Sequence, residues 1–182
     1  IPEEFGGLGL TMEEEIQVAI SLGRTSPAFR SIMGTNNGIG SAAIVFNGTD
    51  EQKKKYLPKY ASGEWISCFC LTEPEAGSDA ASLKTNAVRD GDDYIINGTK
   101  RYITNAKVAD TFNVMARTDQ SIKGARGISS FIVERGAKGI TLGSVDKKMG
   151  QAGSMTCDVI FEDCRVPAEN LIGSEGEGFI TA

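Results

Sequence analysis

The chain has 182 residues, of which 40% are hydrophobic and 24% are charged, and its formal net charge is −5. These proportions are typical of a globular protein with a buried core and argue against wholesale disorder. The acidic balance argues against a nucleic-acid partner, because that binding usually needs a basic face. No apolar run approaches the roughly 20 residues that a membrane helix needs, so no membrane partner is expected.

Histidine is absent from the sequence. This excludes Ser–His and Cys–His nucleophilic catalysis and zinc sites that contain histidine. The cysteines form no C-x-x-C pair, and we interpret them as reduced, packed thiols rather than as a disulfide or a metal site. They are Cys68, Cys70, Cys157 and Cys164. Any chemistry is therefore expected to depend on a bound cofactor or on residues outside this chain.

The first part of the chain is predicted to be helical. Thr11 and Glu14 have the spacing of a capping box, which marks the start of a helix. The following residues place an apolar stripe along one side of that helix. The stripe consists of Ile16, Ala19, Ile20 and Gly23.

Two more helices are predicted before the chain changes character. The apolar segment 39–47 is interpreted as one of them. Thr49 and Gln52 form a second capping box, which opens a short helix over residues 50–56 that Pro58 ends. The glycines of segment 34–40 follow no strand and lack the spacing of a dinucleotide-binding loop, so a helix entry loop is expected there.

After Trp65 the pattern becomes one of short strands. Asn97-Gly98 is a strong two-residue hairpin signal between two of them. Because no helices lie between the strands, the pattern predicts an α+β fold: a helical N-terminal segment followed by an antiparallel β-barrel or sandwich domain. The glycine-rich segment 173–179 is typical of a linker. Strands are predicted at residues 66–71, 85–89, 94–96, 101–104, 111–117, 128–134, 140–143 and 155–161.

Five segments carry the most specific pattern. Residues 71–79 read LTEPEAGSD, residues 97–105 read NGTKRYITN, and residues 161–167 read FEDCRVP, with NLIG and GEGF soon after. Two more are PEEFGGLG at residues 2–9 and GTDEQK at residues 48–53. In order and spacing, these segments closely resemble the acyl-CoA dehydrogenase family. The resemblance covers essentially the whole chain.

The resemblance implies both a domain division and an activity. Residues 1–64 would be a partial helical N-terminal domain, residues 65–174 a middle β domain that binds FAD and acyl-CoA, and residues 175–182 the start of a truncated C-terminal helical domain. The implied reaction is α,β-dehydrogenation of an acyl-CoA thioester, with hydride transfer to FAD. In the family, the base glutamate lies in the C-terminal helical domain. No catalytic residue is therefore expected in this chain, and the isolated chain is expected to be inactive.

The resemblance also implies which residues contact the cofactor. Thr72 offers a hydroxyl and an amide at a strand end, and Tyr102 and Thr104 share one side of a strand, so that the ring would cover the flavin and the hydroxyl would bond N5. Gly77 and Ser78 would let the backbone approach an anionic phosphate, and Ser78 would also meet the acyl-CoA phosphate or pantetheine. The implied cofactor-binding residues are Phe69, Leu71, Thr72, Gly77, Ser78, Tyr102, Ile103 and Thr104.

Without the resemblance, several of these residues have simpler interpretations. Thr72 and Ser78 also fit the role of satisfying turn backbone groups. Tyr102 is equally typical of a cross-strand aromatic residue. Lys123 and Arg126 lie in a polar loop, where they can either reach the phosphates of coenzyme A or remain solvated.

Two positions depart from the family pattern. The family commonly has tryptophan or phenylalanine where Tyr102 stands, and many members have an arginine where Ala152 stands. These departures leave the acyl specificity open. The rival functions on the same fold are an acyl-CoA oxidase, a two-component flavin monooxygenase and a flavin-retaining, non-enzymatic, DNA-associated relative.

The resemblance further implies partners and a location. An electron-transfer flavoprotein would accept the electrons, and the full-length protein would be a homotetramer or a homodimer. It would work in the bacterial cytoplasm or, in a eukaryote, in the mitochondrial matrix.

Overall fold

A computed structural model describes residues 1–181 of the chain. A helical first part is followed by an eight-stranded, mostly antiparallel sheet, which confirms the predicted α+β fold. The strand order is open and sandwich-like, so of the two predicted architectures the closed barrel is wrong. Among the described residues, no helix is long and apolar enough to cross a membrane.

Four α-helices form the first part of the chain. Thr11 caps the first of them as predicted, since its hydroxyl accepts from the amide of Glu14 and its own amide donates to the Glu14 carboxylate. The helix buries none of its residues, and the stripe residues Ile16 and Ile20 are 52% and 54% exposed. The helices are α1 (Met12–Thr25), α2 (Pro27–Gly34), α3 (Ala42–Asn47) and α4 (Asp50–Ser62).

The predicted entry loop at the glycines of segment 34–40 is wrong, because that segment is helical. The helix predicted over residues 39–47 is present, but it begins at Ala42. Helix α2 occupies Pro27–Gly34, with the Ser26 hydroxyl accepting from the amide of Phe29 and Pro27 in the first turn. Serine at the N-cap followed by proline in the first turn is an ordinary helix start, which the sequence prediction missed. A π-helical turn (Thr35–Ile39), kinked at Gly38, then leads towards α3.

The predicted end of α4 at Pro58 is also wrong, because the helix continues to Ser62. An interior proline costs about 3 kcal/mol. Tyr56, Leu57 and Tyr60 are almost completely buried on the inner face of α4. Each contributes roughly 1.5–3 kcal/mol by that burial, which together outweighs the cost of the proline. Pro58 itself is exposed, so the carbonyl that it leaves unbonded can be hydrated.

The sheet consists of two groups of strands. The strands are β1 (Ser67–Cys70), β2 (Asn86–Asp90), β3 (Asp93–Thr104), β4 (Thr111–Arg117), β5 (Ile128–Glu134), β6 (Ile140–Leu142), β7 (Thr156–Pro167) and β8 (Leu171–Ile172). Strands β6, β7, β3 and β2 are neighbours in that order, and β2 touches β4, which lies between β5 and β1. All pairings are antiparallel except those of β4 with β1 and β2.

The predicted hairpin at Asn97-Gly98 is wrong. Strand β3 runs through it without a turn, paired with β7 on both sides of an irregularity, and β7 is correspondingly longer than predicted. Gly98 has φ 151°, and a Cβ there would lie 2.3 Å from the hydroxyl oxygen of Thr85. Glycine is thus required for close approach, a second reason for glycine in a strand besides turn formation. The hairpin between β2 and β3 turns at Gly91 instead.

Three clusters of buried side chains hold the fold together. The largest fills the sheet interior and includes Phe112, Phe131 and Phe161. A second joins α3 and α4 to β5 and β8, and a third, around Met115, supports the region beyond β1. All four cysteines are buried and reduced, with the Cys68 and Cys70 sulfurs 3.9 Å apart.

The glycine-rich segment after β8 is not a free linker. Its Glu175 carboxylate accepts a short hydrogen bond from the Tyr94 hydroxyl, and the amide of Gly176 donates to the Ser129 hydroxyl at 2.9 Å. A 3₁₀ turn follows at Gly178–Ile180. The last residue of the predicted C-terminal segment, Ala182, lies outside the described residues.

Candidate functional site

The two most specific sequence motifs meet where the chain leaves β1. The carbonyl of Thr72, just beyond β1, accepts from the amide of Arg101 in β3 at 2.8 Å. The exit of β1 therefore lies alongside the last third of β3. A second bond, from the side chain of Asn105 to the carbonyl of Ser67, lays residues 67–72 alongside residues 101–105.

A β-bulge directs the side chains of β3 at this point. Lys100 pairs with Val159 and Ile103 with Cys157, so Arg101 and Tyr102 together oppose the single residue Asp158. Tyr102 has φ 60°, in the left-handed region that non-glycine residues rarely adopt. Bulges of this kind occur near functional sites, where they re-aim side chains.

The bulge exposes some of the predicted contact residues and buries another. The Tyr102 ring is 59% exposed and Thr104 is half-buried, whereas Ile103 is only 3% exposed and packs in the sheet core. Of the predicted contacts, Ile103 can thus offer a ligand only its main chain. Tyr102 and Thr104 have accessible side chains on either side of it.

Arg101 lies beside the Tyr102 ring. Its guanidinium carbon is 4.8 Å from the ring centroid, and its Nη1 is 3.0 Å from Oδ2 of Asp158. Hydrogen bonding to Tyr102 and the charge of Asp158 raise the pKa of Arg101. A positive charge therefore stands over the exposed ring, a feature that the sequence motif did not reveal.

Asn105 closes the same end of β3. It has φ 70°, and its Nδ2 donates to the carbonyl of Ile32 at 3.1 Å and to that of Ser67 at 3.4 Å. These bonds tie the end of β3 to helix α2 and to β1. Asparagine is among the few residues that tolerate a left-handed backbone, which is the one signal that the sequence carried for this role.

A buried ion pair lies behind the exit of β1. Lys100 Nζ is 2.8 Å from Oε1 of Glu73, with the two side chains 0% and 7% exposed. Burial raises the pKa of Glu73, but the charge of Lys100 and the hydrogen bonds from Lys100, Thr85 and Lys84 outweigh it and leave the pKa below its ordinary value. Burial lowers the pKa of Lys100 despite the opposing charge. With both its oxygens engaged, Glu73 is poorly placed to act as a base.

Gly77 and Ser78 lie in the exposed loop between β1 and β2. Arg117 holds this loop beside the polar loop that precedes β5. Its guanidinium donates to the carbonyls of Ala81 and Leu83 in the first loop. It also donates to the carbonyls of Ile122 and Gly124 in the second.

The accessible groups fit a flavin and its pyrophosphate. Within residues 1–181, the hydroxyls of Thr72, Ser78 and Thr104 make no hydrogen bond to another protein group, so all three remain available to a ligand. The exposed Tyr102 ring belongs to the same strand as Thr104, and a glycine precedes Ser78. A flat heteroaromatic ring needs one flanking ring and a few hydroxyl or amide donors, and a phosphate needs close backbone approach.

Comparison with known proteins decides the family. Residues 1–64 match the N-terminal domain of acyl-CoA dehydrogenases, and residues 68–164 match the middle domain of acyl-CoA dehydrogenases. The chain belongs to the acyl-CoA dehydrogenase family. Among curated family members, the short-chain-specific acyl-CoA dehydrogenase of Clostridium acetobutylicum is 44% identical over 97% of this chain. The chain spans 46% of that relative's length.

Solved structures of other proteins share the fold over the whole chain. One, described as an electron transferring flavoprotein of Acidaminococcus fermentans, superimposes with a TM-score of 0.96 at 46% identity and is covered to 47%. Another is an acyl-CoA dehydrogenase from Bacillus anthracis complexed with FAD. It superimposes with a TM-score of 0.92 at 43% identity and is covered to 31%.

Proposed function

We propose that this chain is part of an FAD-dependent acyl-CoA dehydrogenase, which removes an α-proton and a β-hydride from an acyl-CoA thioester. Residues 69–72 and 102–104 would form the side of the site that faces the flavin, which we call the flavin wall. The observation that carries the proposal is the junction of the β1 exit with the β3 bulge. There two adjoining segments carry the exposed Tyr102 ring and the hydroxyls of Thr72 and Thr104, which have no hydrogen bond among the described residues, in a chain of this family.

FAD supplies the hydride acceptor of this reaction. Thr104 would donate a hydrogen bond at the accepting edge of the ring, and Thr72 would donate at the pyrimidine edge. Tyr102 would cover one ring face and exclude water from it, and Phe69 and Leu71 would support the ring from the half-buried side. Donors fixed in this way need no reorganisation when charge develops, which is the main source of electrostatic catalysis.

Gly77 and Ser78 would hold the phosphate end of the ligands. Ser78 is exposed, its hydroxyl has no protein partner among the described residues, and its loop is fixed by Arg117. We propose that it meets both the FAD pyrophosphate and the phosphate or pantetheine part of acyl-CoA. The catalytic base would lie outside this chain, because the Glu73 carboxylate behind the exit of β1 is fully engaged.

The domain division belongs to the same proposal. Residues 1–64 would form part of a helical domain, residues 65–174 the ligand-binding β domain and residues 175–182 the start of a second helical domain. The full-length protein would be a homodimer or homotetramer that passes electrons to an electron-transfer flavoprotein. Its location would be the bacterial cytoplasm or the mitochondrial matrix.

The product of the complete open reading frame tests the proposal. It should carry flavin absorbance or bind added FAD, and acyl-CoA should bleach the flavin without oxygen. Slow reoxidation in air, but rapid reoxidation by an electron-transfer flavoprotein, would distinguish a dehydrogenase from an oxidase or a monooxygenase. Absence of bound flavin together with no affinity for FAD would contradict the proposal.

A further inference from the structure

Glu73 and Lys100 bury two charges directly behind the proposed flavin wall. Removing two charges from water costs free energy that their mutual attraction does not always return. A buried ion pair is therefore weak evidence for a purely stabilising role. The groups that this pair holds indicate a more specific role.

The pair organises the backbone on both sides of the loop between β1 and β2. Lys100 Nζ donates to the carbonyl of Leu71 at 3.1 Å as well as to Glu73. The second oxygen of Glu73 accepts from the amide of Lys84 at 2.6 Å, and the first also accepts from that of Thr85 at 2.9 Å. One carboxylate and one ammonium thus fix both the start and the end of the loop.

The contacts continue into the wall itself. Lys100 holds the carbonyl of Leu71, and its neighbour Arg101 holds the carbonyl of Thr72 through its amide. Two consecutive residues of β3 therefore hold two consecutive carbonyls of the β1 exit. The next residues of β3 are Tyr102, Ile103 and Thr104, so the register between the proposed flavin contacts of the two segments depends on this pair of bonds.

We propose that Glu73 and Lys100 are positioning residues for the flavin. They would fix the register of Thr72 relative to Tyr102 and Thr104 without touching the ligand. This role rests on the proposed function. It differs from a merely structural role in one measurable respect: loss of the pair should weaken FAD binding by more than the accompanying loss of stability explains.

Three variants of the complete open-reading-frame product separate the two roles. Glu73→Gln leaves the charge of Lys100 unpaired. Lys100→Met leaves the charge of Glu73 unpaired and also removes the donor to the carbonyl of Leu71. The double variant Glu73→Gln/Lys100→Met removes both charges together, and such replacements are often tolerated for folding. The double variant therefore keeps the proposal testable even if the single variants fail to fold.

Ile132→Ala provides the matched control. Ile132 packs in the cluster between the helices and the sheet, away from the wall, and its truncation leaves a cavity that lowers stability. Each protein would be characterised by its thermal midpoint without flavin, its Kd for FAD and the visible circular dichroism of the bound flavin.

In the wall variants we expect the Kd for FAD to rise about tenfold or more, as expected for one or two misplaced hydrogen bonds. We also expect an altered flavin dichroism. Ile132→Ala should lose as much thermal stability as the Glu73 and Lys100 variants do, but its Kd for FAD should be nearly unchanged. If the Kd follows the thermal midpoint in all variants alike, or stays unchanged in the double variant, the positioning role is refuted. If the unmodified protein binds no FAD, the proposed function itself fails, and the positioning role fails with it.

Discussion

In the proposed site, the Thr104 hydroxyl would donate a hydrogen bond to the accepting edge of the flavin. Thr104→Val keeps the β-branch and removes only the hydroxyl, which has no protein partner among residues 1–181 to lose. Loss of one donor to a centre that develops charge costs roughly 2–4 kcal/mol in the transition state. We expect flavin reduction by acyl-CoA to slow accordingly in rapid-mixing experiments. Thr99→Val on the same strand is the control, and equal rates in both variants would remove Thr104 from the site.

Arg101 should influence the electrochemistry of the bound flavin. The guanidinium is paired with Asp158 and lies over the Tyr102 ring, where it favours the more negative, reduced state of a cofactor bound beside that ring. Arg101→Gln should therefore lower the two-electron midpoint potential, by about 30 mV if the ratio of reduced to oxidised affinity falls tenfold. Arg101→Lys, which keeps the charge, should lower it less. A potential that is identical in all three proteins would show that the charge does not reach the flavin.

At this scale the sequence revealed residue types but not their environments. The motif that contains Tyr102 and Thr104 was visible because it resembles a motif of the acyl-CoA dehydrogenase family. The roles of Lys100 and Asn105 were not visible. A lysine in an alternating strand is usually solvated, and only the meeting of β1 with β3 buries this one. Contacts between distant segments are not encoded in local spacing.

For a whole element such as strand β3, too, local sequence does not reveal the contacts that distant segments make. Asn97-Gly98 has the ideal composition for a hairpin, yet the longer pairing with β7 overrides it and absorbs the glycine as a point of close approach. By contrast, both capping boxes were predicted correctly, because the groups that form them lie within one helical turn. Local signals succeed where the partner is local.

Gly98→Ala tests this interpretation of β3. The added methyl group would meet the backbone and side chain of Thr85 at 2.3–2.7 Å, and the backbone has φ 151°. Overpacking of this kind costs about 1–3 kcal/mol, and the strained backbone adds to it. Gly91→Ala, at the true hairpin turn with no atom within 4 Å of the new methyl group, should cost less. Chemical denaturation measures both, and the opposite ranking would contradict the continuous strand.

For the whole molecule, we expect the isolated 182-residue chain to show no dehydrogenase activity even when FAD is supplied. Its helix α1 exposes Met12, Ile16 and Ile20, an apolar surface of the kind that marks an interface or an aggregation hazard. General-base catalysis alone contributes about 10²–10⁴-fold. Among the described residues, the Glu73 carboxylate is engaged in three hydrogen bonds and that of Asp158 is paired with a guanidinium. Anaerobic mixing with FAD and a panel of acyl-CoAs should leave the flavin yellow. Rapid bleaching would mean that a base lies within this chain.

The four buried thiols can report how often the folded protein opens. Burial raises the pKa of Cys68, Cys157 and Cys164, to about 11 for Cys164, so in the folded state these sulfurs are both inaccessible and protonated. A thiol-reactive dye can label them only while the sheet is open, because the thiolate is the reactive form. The labelling rate therefore measures transient opening of the native state, without denaturant and without any added probe site.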